Sequence, residues 1–130
     1  WTGSFGLECI SRGSKNVFFF ENYSKALNVL KKNLLSMKGV KNYKIFENDC
    51  FVYFNSNNEI NQTFDVIFVD APYKESKINN LLEKIVEKKL LNIGGLIIIH
   101  RHKKDTIEIT NKVKILDIRS YGISKVYFAN

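Results

Sequence analysis

The feature of this 130-residue chain that most restricts its fold is the alternation of short apolar runs with longer amphipathic segments. The apolar runs are four to six residues long, which is typical of strands buried on both faces of a sheet. The segments between them place apolar residues at helical spacing, with lysines on the other face. The predicted strands are Asn16–Phe20, Tyr43–Phe46, Phe64–Val69 and Leu96–Ile99, and the predicted helices are Ser4–Arg12, Ser24–Met37, Asp49–Phe54 and Ser76–Leu91, the last stopped by Gly94-Gly95.

The end of the chain departs from this alternation. Lys112–Arg119 and Ser124–Phe128 leave no room for a helix between them, so we expect an antiparallel hairpin that turns near Tyr121-Gly122. Strands separated by helices predict a mainly parallel sheet. A parallel sheet closed by such a hairpin is the Rossmann-like α/β architecture of S-adenosylmethionine (SAM)-dependent methyltransferases, and we expect that fold class. A fold alone does not establish a function.

The charge balance of the chain favours one class of binding partner. Twenty Lys and Arg against thirteen Asp and Glu give a charge of +7, which favours a polyanion such as nucleic acid, although lysines also keep small domains soluble. The length fits a single domain, residues 1–130. Cys9 and Cys50 have no metal-binding spacing, and the apolar runs are too short to span a bilayer. We therefore expect a cytoplasmic protein with neither a metal nor a membrane partner.

Three segments carry candidate cofactor-binding residues. Gly3 and Gly6 would let backbone N–H groups approach a ligand, although a plain helix-entry turn explains this G-x-x-G spacing as well. Glu21 follows the first strand, where a carboxylate would accept hydrogen bonds from ribose hydroxyls or act as an N-cap-like residue. Asp49 follows the second strand and would accept a hydrogen bond from an adenine amino group, cap the next helix, or do both.

The most informative motif is Asp70-Ala71-Pro72-Tyr73, directly after the third strand. An exocyclic amine on a base ring is a poor nucleophile because its lone pair is delocalised. The Asp70 carboxylate and the Ala71 carbonyl would accept the amine hydrogens, favour a tetrahedral nitrogen and release its lone pair for methyl transfer. Tyr73 would stack on a flipped-out base. The alternative is a β-turn in which Asp70 caps the following helix.

Four sequence blocks, taken with this motif, resemble a known family. The tetrapeptide resembles the N/D-P-P-Y/F motif of amino methyltransferases. GSFGLECISRGSKNVFFFE, FDVIFVDAPYKE, LLNIGGLIIIH and ILDIRSYGISKVYFA resemble, in order, blocks of the bacterial RsmD-type 16S rRNA (guanine-N2) methyltransferases. The resemblance implies an enzyme that uses SAM to methylate the 2-amino group of a guanine in 16S rRNA or the small ribosomal subunit. It also implies that Gly3 and Gly6 form the cofactor loop, Glu21 holds the ribose, Asp49 faces the adenine, and Asp70, Ala71, Pro72 and Tyr73 form the catalytic turn.

The chain departs from the family pattern in three places. Ala71 replaces a proline, which preserves the carbonyl acceptor but relaxes the turn. His100 replaces a glutamate at a strand end, and is either a titratable, RNA-facing group or a solvent-exposed strand end beside Arg101. The chain begins inside the glycine loop, so we expect an N-terminally truncated member whose sheet lacks its first, central strand.

Other functions fit part of this pattern. A non-catalytic remnant or a basic RNA-binding domain would share the fold without holding SAM. DNA adenine-N6 methylation uses a similar motif, but 130 residues leave no room for a target-recognition domain. An NAD oxidoreductase would leave the tetrapeptide unexplained.

The chain has three clusters of basic residues, which would either contact phosphates or be solvated. These clusters are Lys31-Lys32, Lys88-Lys89 and Arg101–Lys104. The sequence predicts no oligomeric state.

Overall fold

The computed structural model describes residues 3–56, 58–70 and 74–130. Helices and strands follow one another in the predicted order. Contacts group the chain into two compact units, Trp1–Ser56 and Asn57–Asn130. The expectations of a single domain and of a missing central strand stay predictions. Among the described residues, no helix is long and apolar enough to cross a membrane.

In the first unit, helices accompany a parallel sheet. Strand β1 pairs with β2 in register, from Val17 opposite Tyr43 to Phe20 opposite Phe46. Apolar residues of α1, β1 and α2 form the core of this unit, with Leu30 and Leu34 each only 2% exposed. The elements are α1 (Ser4–Ser11), β1 (Val17–Phe20), α2 (Ser24–Ser36), β2 (Tyr43–Phe46) and α3 (Cys50–Asn55).

Close packing requires glycine where α1 begins. Gly3 is the N-cap of α1 and has a φ of +72°, in the left-handed region that favours glycine. A Cβ atom added to Gly3 would lie 2.6 Å from Leu30 Cδ1, and one added to Gly6 would lie 2.3 Å from Phe19 Cε1. Both glycines therefore allow the helix to approach β1 and α2 closely, which is one of the roles that glycines have in dinucleotide-binding turns.

An aromatic cluster fixes α3 against the sheet. The rings of Phe20 and Phe46 stack with centroids 4.6 Å apart. The ring of Tyr53 meets both of them edge-on, at 5.2 and 5.4 Å. Because Phe20 and Phe46 are the last residues of their strands, the cluster holds α3 at the carboxyl end of the sheet.

In the second unit, the strand order is β3-β4-β6-β5. Strand β3 is parallel to β4, whereas β6 is antiparallel to both β4 and β5. The terminal hairpin turns at Gly122, whose φ is +56°, so the predicted hairpin is confirmed. The elements are β3 (Phe64–Val69), α4 (Glu75–Glu87), β4 (Leu91–His102), β5 (Ile115–Tyr121) and β6 (Ser124–Ala129).

The predicted end of α4 is wrong. The helix ends at Glu87, and Lys89 takes a left-handed φ of +53°. The N–H of Leu90 bonds to the Ile85 carbonyl and that of Lys89 to the Val86 carbonyl, which is a Schellman motif with lysine where glycine is usual. Gly94 and Gly95 instead lie inside β4, where the pairing with β3 slips.

Candidate active site

The first unit places Glu21 at the carboxyl end of β1. Its N–H donates to the Phe46 carbonyl at 3.0 Å, which ties the residue to the end of β2. Its Oε1 accepts a hydrogen bond from the Tyr23 N–H at 2.9 Å; Tyr23 is itself the N-cap of α2, so Glu21 contacts the residue before the helix and does not cap it. The carboxyl ends of parallel strands are also where ligands bind in open α/β sheets, so the position suits a ribose contact as well.

Asp49 is the N-cap of α3. Its Oδ1 accepts hydrogen bonds from the Phe51 N–H at 2.8 Å and the Val52 N–H at 3.3 Å. The helix-cap interpretation is therefore confirmed in geometry. A carboxylate has two acceptor oxygens, so the cap and a contact with a ligand amino group are compatible.

The residues of the first unit that were predicted to bind a cofactor share one end of the sheet. Gly3 and Gly6 pack against Phe19, the next-to-last residue of β1, so α1 begins near the strand end that carries Glu21. Helix α1 then supplies backbone N–H groups, and Glu21 and Asp49 supply carboxylate acceptors for hydroxyl and amino groups. This donor set fits a nucleoside-containing cofactor.

In the second unit, three side chains form a hydrogen-bonded chain. His100 Nδ1 lies 2.9 Å from Asp70 Oδ1, and His100 Nε2 lies 2.8 Å from Ser124 Oγ. The Asp70 and His100 side chains are only 20% and 23% exposed. Because an ionised carboxylate can only accept, His100 Nδ1 is the donor to Asp70; in the neutral imidazole this tautomer leaves Nε2 to accept a hydrogen bond from the Ser124 hydroxyl.

The strand register explains this arrangement. Val69 is paired with Ile99 in the parallel ladder, so the next residues along, Asp70 and His100, come side by side. His100 is opposite Val126 on β6, and Ser124 lies two residues away on the same face. The interpretation of His100 as a solvent-exposed strand end is therefore wrong. Sequence reasoning missed Ser124, because only the hairpin register reveals it.

The structure does not test the other three residues of the predicted catalytic turn. Ala71, Pro72 and Tyr73 lie outside the described residues, so their roles stay predictions. Helix α4 begins at Glu75 with Lys74 as its N-cap, so the alternative in which Asp70 caps this helix is wrong.

A groove in the second unit is lined by three basic and two acidic side chains, which are Lys74, Arg101, Lys104, Glu75 and Asp105. Arg101 is only 8% exposed and its guanidinium lies 3.7 Å from the Asp105 carboxylate, so of the two alternatives for its cluster a solvated side chain is wrong for Arg101. Lys74 and Lys104 line the same groove and are themselves exposed. No group of three or more His, Cys, Asp or Glu side chains in the described ranges is placed to hold a metal ion.

The two cysteines form no disulfide. Cys9 and Cys50 are both partly buried. Burial raises the pKa of the Cys9 thiol above its usual range, which keeps the thiol protonated near neutral pH.

The chain has the Rossmann-like fold of methyltransferases. The solved structure of a "putative methylase" from Haemophilus influenzae matches with a TM-score of 0.79 and 26% identity, over 98% of this chain and 79% of that one. A "putative methyltransferase complexed with SAH" shares the fold with a TM-score of 0.72 at 16% identity, over 99% of this chain and 42% of that one.

The family to which the chain belongs describes it more specifically than its fold does. The family described as "Conserved hypothetical protein 95" matches residues 2–130, and this chain belongs to it as an RsmD-type member. "Putative rRNA methyltransferase YlbH" of Bacillus subtilis is 29% identical over 96% of this chain and 68% of its own length. "Ribosomal RNA small subunit methyltransferase D" of Haemophilus influenzae is 27% identical over 94% of this chain and 63% of its own length.

Proposed function

We propose that this protein is a SAM-dependent rRNA methyltransferase and that it methylates the exocyclic 2-amino group of a guanine in 16S rRNA. One observation carries the proposal: the Asp70 carboxylate stands at the carboxyl end of β3, at the head of Asp70–Tyr73, and is held there by His100. Membership of the RsmD-type family and the names of the two relatives support the coarser part of the proposal, an rRNA methyltransferase.

The first unit would hold the cofactor. The start of α1 at Gly3 and Gly6, with Glu21 and Asp49, offers the donors and acceptors that a nucleoside needs. SAM would supply a methyl group that is bonded to a positively charged sulfonium sulfur. When this carbon–sulfur bond breaks, the rest of the cofactor leaves as a neutral thioether. The neighbour complexed with SAH shares this fold, which supports the choice of cofactor.

The second unit would act on the target amine. The Asp70 carboxylate would accept a hydrogen bond from one amine hydrogen and the Ala71 carbonyl from the other, which frees the nitrogen lone pair to form the new carbon–nitrogen bond. The methylated nitrogen then carries a positive charge, and the Asp70 carboxylate accepts the proton that it releases. Tyr73 would hold the extruded guanine by stacking.

The experiment offers tritiated SAM to the protein with one of four substrates: small ribosomal subunits, naked 16S rRNA, naked 23S rRNA or double-stranded DNA. We expect label in the small-subunit RNA and none in the other two nucleic acids. Comparing the label in the assembled subunit with the label in naked 16S rRNA shows which form of the RNA is the substrate. Label in DNA would favour the adenine-N6 alternative, and absence of label from every substrate would favour the non-catalytic remnant.

A further inference from the structure

We infer that His100 and Ser124 are positioning residues that orient the Asp70 carboxylate for the target amine. This inference rests on the proposed function. His100 Nδ1 holds Asp70 Oδ1 at 2.9 Å, and Ser124 Oγ holds His100 Nε2 at 2.8 Å. The chain of contacts leaves Oδ2 as the carboxylate oxygen that accepts from the amine.

The need for positioning follows from the place of Asp70 in the fold. It comes directly after the last residue of β3, and the pairing of β3 with β4 ends at Val69 and Ile99, so this pairing does not fix the Asp70 side chain. An aspartate side chain has several rotamers, and only some of them would aim an oxygen at a given amine. A hydrogen bond to a charged carboxylate is stronger than one between neutral groups, so the contact with His100 selects one rotamer.

Ser124 completes the arrangement by setting the imidazole tautomer. A neutral imidazole must carry its proton on Nδ1 to donate to Asp70, and a hydroxyl that donates to Nε2 favours that tautomer. Ser124 is held in turn by the β6 ladder, in which it lies opposite His102 of β4 and Tyr121 of β5. The hairpin therefore fixes the hydroxyl, the hydroxyl fixes the imidazole, and the imidazole fixes the carboxylate.

The proton that leaves the amine is taken up by Asp70, so the charge of His100 does not change. The amine proton moves to Asp70 Oδ2, while the Nδ1 proton of His100 stays on the imidazole. His100 thus stabilises the carboxylate before the reaction and keeps its own protons throughout. Solvent resets Asp70 by taking up the proton once the product leaves.

Two amide substitutions separate the two contacts of His100. In His100→Asn the amide nitrogen takes the place of Nδ1 and keeps the bond to Asp70. In His100→Gln the amide nitrogen takes the place of Nε2 and keeps only the contact with Ser124. We expect His100→Asn to retain kcat within about threefold and His100→Gln to lose at least about tenfold, as the loss of a charge-assisted hydrogen bond implies. Both variants should keep the KM for RNA and the affinity for SAM within about threefold.

The matched pair makes the outcome decisive. Equal kcat losses in the two variants would overturn the inference, because a general packing role does not distinguish the two nitrogens. A loss confined to His100→Asn would overturn it too. Melting temperatures of both variants show whether either one fails to fold, in which case the tautomer measurement decides.

The tautomer of His100 gives a readout that does not depend on activity. We expect ¹⁵N NMR of labelled wild-type protein at neutral pH to show the proton on Nδ1, and Ser124→Ala to raise the share of the Nε2-protonated form. A wild-type imidazole protonated mainly on Nε2 would overturn the inference. An inactive wild type that shows the Nδ1 tautomer would instead contradict the proposed function and leave the hydrogen-bonded chain supported.

Discussion

Asp70 is the side chain on which the proposed chemistry depends most. Removing it in Asp70→Ala should lower kcat at least about a hundredfold, because one preorganised contact in an active site is commonly worth 10²–10³ in rate. SAM affinity should stay within a few-fold, since the cofactor candidates lie on other residues. Steady-state methyl transfer and SAM titration measure the two quantities separately.

Asp65→Ala is the matched control for this prediction. Asp65 lies on the same strand, is exposed, and accepts a hydrogen bond from Asn92 Nδ2 at 2.9 Å. The control should keep its kcat within about twofold, as surface changes usually do. Asp70→Ala turnover above about a tenth of the wild-type value would contradict the catalytic role.

The residue scale also shows where sequence reasoning reaches its limit. Asp70 could be singled out because its strand, its proline and its aromatic neighbour are consecutive in sequence. Its contact with His100 could not, because it depends on the pairing of Val69 with Ile99 across the sheet. A shift of one residue in that register would place the two side chains on opposite faces.

At the scale of single elements, the cap of α3 separates a structural role from a binding role. Asp49→Ala should lower the free energy of unfolding by about 0.5–2 kcal/mol, whereas Asp49→Asn should preserve it because Asn is an equally good N-cap. Asn offers only one acceptor oxygen, which the cap uses, so Asp49→Asn should still bind SAM several-fold more weakly. Urea unfolding and SAM titration of the two variants test this. Wild-type SAM affinity in Asp49→Asn would mean that Asp49 only caps the helix.

The end of α4 gives a prediction in which two neighbouring lysines respond with opposite sign. Lys89→Gly should stabilise the protein by about 0.5–1 kcal/mol, because glycine adopts the left-handed conformation without the steric cost. Lys88→Gly should destabilise it by a similar amount, since Lys88 has an ordinary φ of −83°. Thermal unfolding compares them, and destabilisation by both changes would be inconsistent with a Schellman motif at Lys89.

These elements also show which boundaries a sequence can predict. The bounds of β2 and β3 were predicted to the residue, because polar residues flank their apolar runs. The end of α4 was not, because Leu90 and Leu91 continue the apolar spacing past the turn at Lys89. A glycine pair normally marks a helix stop, but here Gly94 and Gly95 fill an irregularity inside β4 instead.

At the scale of the whole molecule, the charge of +7 predicts a steep dependence of RNA binding on salt. If about five phosphates are neutralised, the slope of log K against log salt should be about −3.5 to −4.5. Lys104→Gln should reduce that slope by about one, because Lys104 is exposed and lines the groove of the second unit, where it can meet a phosphate. Lys31→Gln is the control, since Lys31 is already paired with Glu47 at 3.1 Å. Fluorescence anisotropy with a 16S rRNA fragment measures the slope, and a flat dependence would assign the charge to solubility.

The most direct test of the proposed function is the chemical identity of the methylated nucleoside. Small ribosomal subunits are incubated with the protein and SAM that carries a deuterated methyl group, and the RNA is digested to nucleosides for mass spectrometry. We predict that the deuterated methyl group appears on N2 of guanosine and that its yield falls with Asp70→Ala. Label on adenosine, on a ribose hydroxyl or on a ring nitrogen would contradict the proposal, because Asp70 is assigned to an exocyclic guanine amine.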